Sequence, residues 1–445
     1  MIIQNLTTID ILKLNHWLNA RKITLSIIKK KNRKLANKIK LNKNFSINKN
    51  DIKLLTNYLN IQKSDIELKN KLPDYIFYTK KKIDSTKRPI NRDGIHFYNY
   101  YTLPSPKGFK APVILDILCP HNKLPKLNNG HLEHAITINL GPGDIYGRWG
   151  KNIKKKQNFS IIKHNNKSHS WIIGDSYLEP TYLPHTYSLV NHKPSQILSY
   201  TAKSQLQKFV DNSNLWPENS YSNLLNSIKK NGQKISFLKS FLNSRGIDEE
   251  YISKKLKLSK KTLKNFFKRK KIDNNKNKKI LTKICKILSI EPEIFYEKEF
   301  KEDNVGKTYT SYKESIKSIR NYKSYLVSSM SSSKRYPDLY GMFIKVSKNK
   351  KVKDLIYYAS THYLATSGKM NFHVKNKNHI FKKGDSIWIS PYMQHGFSGE
   401  GSIIKISNGE CIDYLDIYEI NKIYDYKTTL KRIHKDRINW GYEDN

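Results

Sequence analysis

Apolar positions along this chain fall first at helical and then at strand spacing. Ile11, Leu12, Leu14, Trp17 and Leu18 mark one amphipathic face, and Leu54, Leu55, Tyr58, Leu59 and Ile61 mark another. Residues from about Thr8 to Ile66 therefore read as a set of short helices. From Lys87 the texture changes. Ile95–Tyr101 and Pro112–Leu118 are aromatic and β-branched runs bounded by Pro and Gly, and strand-like segments continue at Ala135–Leu140, Trp171–Ile173 and Ile197–Thr201. Residues 87–205 predict an all-β barrel or sandwich.

The same order then returns. Phe241-Leu242-Asn243-Ser244-Arg245-Gly246-Ile247 echoes Trp17-Leu18-Asn19-Ala20-Arg21-Lys22-Ile23, and Ile287–Ile294 echoes Tyr58–Ile66. A second strand-rich region follows Lys307, where Gly384-Asp385-Ser386 leads to His395 as Gly174-Asp175-Ser176 leads to His185. The expected architecture is α+β, a tandem duplication of a helical domain followed by a β-barrel. The expected boundaries are 1–86 (helical, helix-turn-helix-like), 87–210 (catalytic barrel), 211–302 (second helical domain) and 303–445 (second, degenerate barrel).

Chemistry enters at Glu179 and His185. On one straight strand, six residues at about 3.3 Å each would hold them about 20 Å apart, too far for one metal ion with ligand bonds of about 2 Å. Pro180 and Pro184 argue against such a strand. A turn between them could bring carboxylate and imidazole face to face. The third ligand is sought upstream, at His131 or His134, which would face opposite ways along a strand. His131 is favoured because the strand is expected to begin there, straight after the Asn128-Asn129-Gly130 turn.

The repeat tests this set. Ile389 stands where the first copy has Glu179, while His395 persists; matching Gly141 to Gly368 puts Tyr358 at His131 and His362 at Ala135. Only the first copy can assemble two histidines and a carboxylate, the set of non-haem Fe(II) oxygenases with open positions on one face.

Composition changes this picture little. Lys+Arg number 82 against 37 Asp+Glu, a formal +45, but the excess lysine is spread along the chain as a general bias would spread it. Cys119, Cys285 and Cys411 form no Cys-x-x-Cys pair, which fits a reducing compartment. No signal-peptide pattern and no apolar run of about 20 residues occurs, so a cytoplasmic protein without a membrane span is expected. Glu249–Leu263 resembles a repressor-like helix-turn-helix, which makes a DNA-binding regulator the rival reading. The candidate recognition helix Lys260–Lys270 offers mostly lysine, with only Asn265 and Arg269 suited to reading bases. Nucleic acid is not the expected partner.

Lys87–Tyr101, Leu127–Glu133, Gly141-Pro142-Gly143-Asp144 with Gly147-Arg148-Trp149, and Gly174–His185 resemble signatures of the 2-hydroxyethylphosphonate dioxygenase family. The resemblance runs from His16–Lys22 to Trp440-Gly441-Tyr442. It implies a tandem cupin fold, one Fe(II) per chain in the first barrel, a phosphonate substrate and O₂, and no 2-oxoglutarate. It makes His131, Glu179 and His185 the iron ligands. Lys22, Arg92, Tyr100, Asn128 and Ser199 match positions around the phosphonate, with His185 touching substrate as well and Lys22 and Tyr100 acting in catalysis. The lysine would come from a helical domain, of the same or a neighbouring subunit, so a homo-oligomer is left open. In the sister methylphosphonate synthases a glutamine four residues after the first histidine replaces the carboxylate; here that position is Ala135, which favours the dioxygenase. His134 departs from the proline expected there, next to the site.

Overall fold

The computed structural model describes residues 6–69, 71–121, 123, 126–150, 159–165, 171–202, 204, 206–268, 275–296, 301–348, 354–423, 425–427 and 430. Two compact units emerge, Met1–Asp74 with Ile412–Asn445, and Tyr75–Cys411. The first unit contains helices Ile11–Arg21, Leu25–Lys31, Arg33–Lys38 and Lys49–Leu59, packed around Ile11, Leu14, Leu35, Leu55 and Leu59. Side-chain caps start each of them: Asp10, Thr24, Asn32 and Asn48 all accept a backbone N–H of the first turn. Leu54, read as part of the buried face, is instead 37% exposed; Leu55 and Leu59 take the core positions.

The second unit holds the other helical domain and both barrels. Helices Gln233–Ser244, Glu249–Leu256, Lys260–Phe267 and Asn275–Leu288 repeat the first set around their own core. The helix Ile11–Arg21 ends with Lys22 left-handed (φ 54°), and Gly246 takes the same place after Gln233–Ser244 (φ 62°). Both ends close with the same pair of backbone bonds, Lys22 N–H to Asn19 and Ile23 N–H to Leu18, Gly246 N–H to Asn243 and Ile247 N–H to Leu242. Ser259 caps the helix Lys260–Phe267, as a helix-turn-helix unit would have it, and Leu263, Phe266 and Phe267 are buried. Arg269 lies outside the described residues.

The first barrel joins a seven-stranded sheet, in spatial order 308–310, 176–179, 135–142, 195–201, 113–117, 95–102 and 88–92, to a three-stranded one, 185–189, 145–149 and 159–162. Its interior is filled by Phe97, Tyr98, Trp149, Tyr177, Tyr187 and Ile197. The second barrel runs 320–322, 325–329, 340–346, 395–407, 361–374, 386–389 and 75–78. A third apolar cluster, with Ile136, Ile138, Leu198, Phe343, Leu364 and Ile404, packs one barrel against the other. Among the described residues no helix is long and apolar enough to cross a membrane.

Sheet membership does not follow chain order. Strand Tyr75–Tyr78, which precedes the first barrel, pairs with Ser386–Ile389 of the second, and Thr308–Thr310 pairs with Ser176–Leu178 of the first. The repeated Gly-Asp-Ser motif fastens this exchange. Asp175 accepts the backbone N–H groups of Tyr312 and Lys163 at 2.8 and 2.6 Å and the Tyr309 hydroxyl. Asp385 accepts those of Lys80 and Lys382 at 2.8 and 3.0 Å. Beside a donor of its own half, each carboxylate thus satisfies the first N–H of the helix that follows the exchanged strand, Tyr312 in one case and Lys80 in the other.

The ladders also correct the repeat register. Ala135 pairs with Glu179, whereas Thr361 pairs with Ile389, so Thr361 and not His362 is the counterpart of Ala135. His131 accordingly matches Tyr357 rather than Tyr358. The two share one backbone contact, Tyr182 N–H to the His131 carbonyl and Tyr392 N–H to the Tyr357 carbonyl, each 2.7 Å. Both long strands carry their irregularity at the same place, Leu140 in one and Thr366 in the other, so Gly141 corresponds to Ser367 and Gly368 stands one residue further on. A one-residue slip exchanges the two faces of a strand.

Candidate metal centre

Strand Ser176–Glu179 ends at a corner, and chain direction changes over Pro180–Pro184 before strand His185–Leu189 begins in the other sheet. Tyr182 turns the corner in the left-handed region (φ 54°). Glu179 and His185 therefore face each other, with His185 Nε2 3.7 Å from Glu179 Oε1.

His131 comes in from a loop. The strand begins at Ala135, not at His131, because residues 128–134 are held against the corner instead of in the ladder. Asn128 Oδ1 accepts the N–H groups of Gly130 and His185, both at 2.9 Å. Gly130 is required: at φ 73° a Cβ would lie 2.5 Å from the Tyr182 carbonyl carbon. His131 Nε2 then lies 3.5 Å from the same Glu179 Oε1. His134 is turned away, buried and stacked on Tyr336 at 3.8 Å, and burial pushes its pKa down to about 4.

Hydrogen bonds fix both tautomers. His131 Nδ1 faces the Glu133 carbonyl at 2.6 Å and His185 Nδ1 the Leu183 carbonyl at 2.8 Å. A carbonyl only accepts, so each Nδ1 carries the proton and each Nε2 keeps a lone pair on the side of Glu179, that of His185 also meeting Asn128 Nδ2 at 2.9 Å. His131, Glu179 and His185 are the one such ligand group among the described residues, with all three donor atoms within 4.8 Å of one another. Two neutral imidazoles and a carboxylate suit a divalent transition metal, and the remaining protons are already committed to backbone.

Burial works against ionisation of Glu179, yet His185, His131 and the Trp149 N–H together hold its pKa below the ordinary carboxylate value. For His131 burial opposes the charge, and the Glu179 hydrogen bond and field outweigh it, raising the pKa. Metal binding should accordingly weaken on acidification from a pH above that of a free imidazole, because a protonated His131 cannot ligate. Divalent-metal titrations between about pH 8 and about pH 6 should show the fall; a flat profile would contradict it.

The remaining site residues are placed as follows. Asn128 Nδ2 lies 2.9 Å from His185 Nε2. Tyr100 is half-buried on strand Ile95–Thr102; burial raises its pKa, Arg92 and Arg88 oppose, and Glu179 adds to the rise. Arg92 stacks on Phe97 at 4.7 Å and donates to the Lys126 carbonyl. Ser199 lies inside the barrel, 3.3 Å from Thr137 Oγ1. Lys22 belongs to the other compact unit. Replacing Asn128 by alanine removes two backbone anchors of the corner and should weaken metal binding by about 10–100-fold, read by metal titration.

Trp149 carried no role in the sequence reading. Its indole N–H donates to Glu179 Oε2 at 3.1 Å, leaving Oε1 toward the histidines. The signal was the spacing Gly147-x-Trp149: both residues face one way along a strand, and a Cβ on Gly147 would stand 2.0 Å from the indole.

The sequence profile of the 2-hydroxyethylphosphonate dioxygenase cupin-like domain matches residues 84–202. A 2-hydroxyethylphosphonate dioxygenase from Streptomyces viridochromogenes is 35% identical over 368 residues, 82% of each chain. The chain belongs to the 2-hydroxyethylphosphonate dioxygenase family. A methylphosphonate synthase from Nitrosopumilus maritimus is more distant, 25% identical over 348 residues, covering 72% of this chain and 71% of that one. A solved structure of PhpD with cadmium and hydroethylphosphonate superposes with a TM-score of 0.75 at 32% identity, over 96% of this chain and all of that one. The donors expected from sequence to hold Fe(II) are brought together in the first barrel. In the second barrel Tyr357, Ile389 and His395 occupy the corresponding positions, and His395 Nε2 is held by the Tyr363 hydroxyl at 2.7 Å.

Proposed function

We propose that this chain cleaves the C–C bond of 2-hydroxyethylphosphonate with O₂, giving hydroxymethylphosphonate and formate, with Fe(II) held by His131, Glu179 and His185. The observation that carries the reading is the cross-strand pair Ala135–Glu179. The position at which the sister synthases are expected to carry a ligand glutamine is a buried methyl here, and the carboxylate directly across the ladder points at both imidazoles.

Fe(II), when bound, supplies open positions where substrate oxygens and O₂ meet. The protein supplies the rest. Tyr100 keeps its phenolic proton and donates to an anionic oxygen. Arg92 offers positive charge, and Asn128 and Ser199 offer neutral hydrogen bonds, to a phosphonate lying beside His185. Lys22 is assigned to the phosphonate on the resemblance in sequence. All four electrons that reduce O₂ come from the substrate, so no 2-oxoglutarate is consumed.

Oxygen uptake by Fe(II)-loaded protein tests this. Equimolar uptake with 2-hydroxyethylphosphonate alone is the expected result, and uptake that requires 2-oxoglutarate would overturn the reading.

A further inference from the structure

The exchanged segment 303–310 brings a buried ammonium behind the metal centre. Lys307 is 4% exposed. Its Nζ lies 4.5 Å from the centre of the Trp149 ring, 5.0 Å from that of Tyr309 and 5.6 Å from that of Tyr177. The carboxylate that pairs with it, Asp303 Oδ2 at 3.5 Å, is 38% exposed. A tight turn holds the pair: Asp303 Oδ1 accepts the N–H groups of Val305 and Lys307, and the Lys307 carbonyl accepts that of Asp303. Burial disfavours the charge on Lys307, while Asp303, Glu179 and Asp175 favour it.

We propose that Lys307 is a positioning residue for the metal centre, acting through Trp149 on Glu179. Trp149 is the group that holds Glu179 Oε2, and the ammonium rests against its indole. A cation over this ring polarises the N–H toward the carboxylate. Its field also offsets the single negative charge of the ligand set. The site then gives up some affinity for a divalent cation, and the loaded site keeps a larger positive surplus for an anionic phosphonate. The group that does this is supplied by the second half of the chain, so the degenerate repeat completes the active one. The inference rests on the proposed ligand set His131, Glu179 and His185.

Two variants of opposite charge effect separate a field from a merely structural role. Lys307→Met removes the cation and keeps the length of the side chain. Asp303→Asn keeps the turn acceptor and removes the counter-charge. Mn(II) titration followed by electron paramagnetic resonance should show Lys307→Met binding about fivefold tighter than wild type and Asp303→Asn about twofold weaker, the scale of one unit charge across a buried ring; Lys307→Arg should stay near wild type. A structural role would weaken binding in both variants, and shifts of the same sign would overturn the inference. If Lys307→Met does not fold, Lys307→Gln takes its place beside Asp303→Asn, and binding equal to or weaker than wild type in it would overturn the inference. One Mn(II) per wild-type chain, lost in Glu179→Ala, keeps the ligand reading intact whatever the Lys307 result; absence of Mn(II) from wild type overturns the ligand reading itself.

Discussion

Glu179→Ala is expected to lower metal-dependent turnover by about a thousandfold or more, with loss of the bound ion on desalting. The carboxylate is the one anionic donor in the group, is 2% exposed, and has both imidazole Nε2 atoms within 3.7 Å of one oxygen. Two neutral histidines alone leave a divalent ion with no anionic donor to compensate its charge. His395→Ala is the matched control. It stands where His185 stands in the other repeat, but Ile389 replaces the carboxylate and Tyr357 the other histidine. Its loss should leave metal content and turnover unchanged. Metal analysis with oxygen uptake on both variants checks the pair. An active Glu179→Ala protein beside an inactive His395→Ala one would move the chemistry to the second barrel.

The second large effect concerns folding. Asp175→Ala strands three donors, the Tyr309 hydroxyl and the N–H groups of Lys163 and Tyr312, in a position 1% exposed. Leaving several buried donors without an acceptor should cost about 3–5 kcal/mol. Thermal unfolding should show it as a drop of several degrees or more. Asp385→Ala should cost less, since it strands two backbone donors at the mirror-image junction. A change in Asp175→Ala of under about 0.5 kcal/mol would mean that the carboxylate does not fasten the exchanged strand.

That junction shows where the sequence was readable and where it was not. Gly-Asp-Ser stood out because it recurs, but its purpose depends on strands Tyr75–Tyr78 and Thr308–Thr310 crossing between repeats. Hydrophobic alternation specifies that a strand exists and which face is buried; it does not specify the partner. The helices were legible because caps and apolar spacing are local, as Lys22 and Gly246 at matched helix ends illustrate. Glu179 and His185 were legible because Pro180 and Pro184 imply the corner. The repeat register slipped by one residue because Gly141 and Gly368 stand one place apart relative to the same bulge, and only the pairing of Ala135 with Glu179 and Thr361 with Ile389 restores it. Trp149 and Lys307 were hidden for a different reason. Both act on a ligand rather than as ligands, and Lys307 reaches the centre from more than a hundred residues away in the chain.

Carbon–carbon cleavage at a carboxylate-ligated centre in the first barrel fixes what the products must be. Phosphorus NMR of Fe(II)-loaded protein given 2-hydroxyethylphosphonate and air, with a parallel formate assay, tests it directly. Hydroxymethylphosphonate with an equal amount of formate is the predicted result. Methylphosphonate without formate would contradict it.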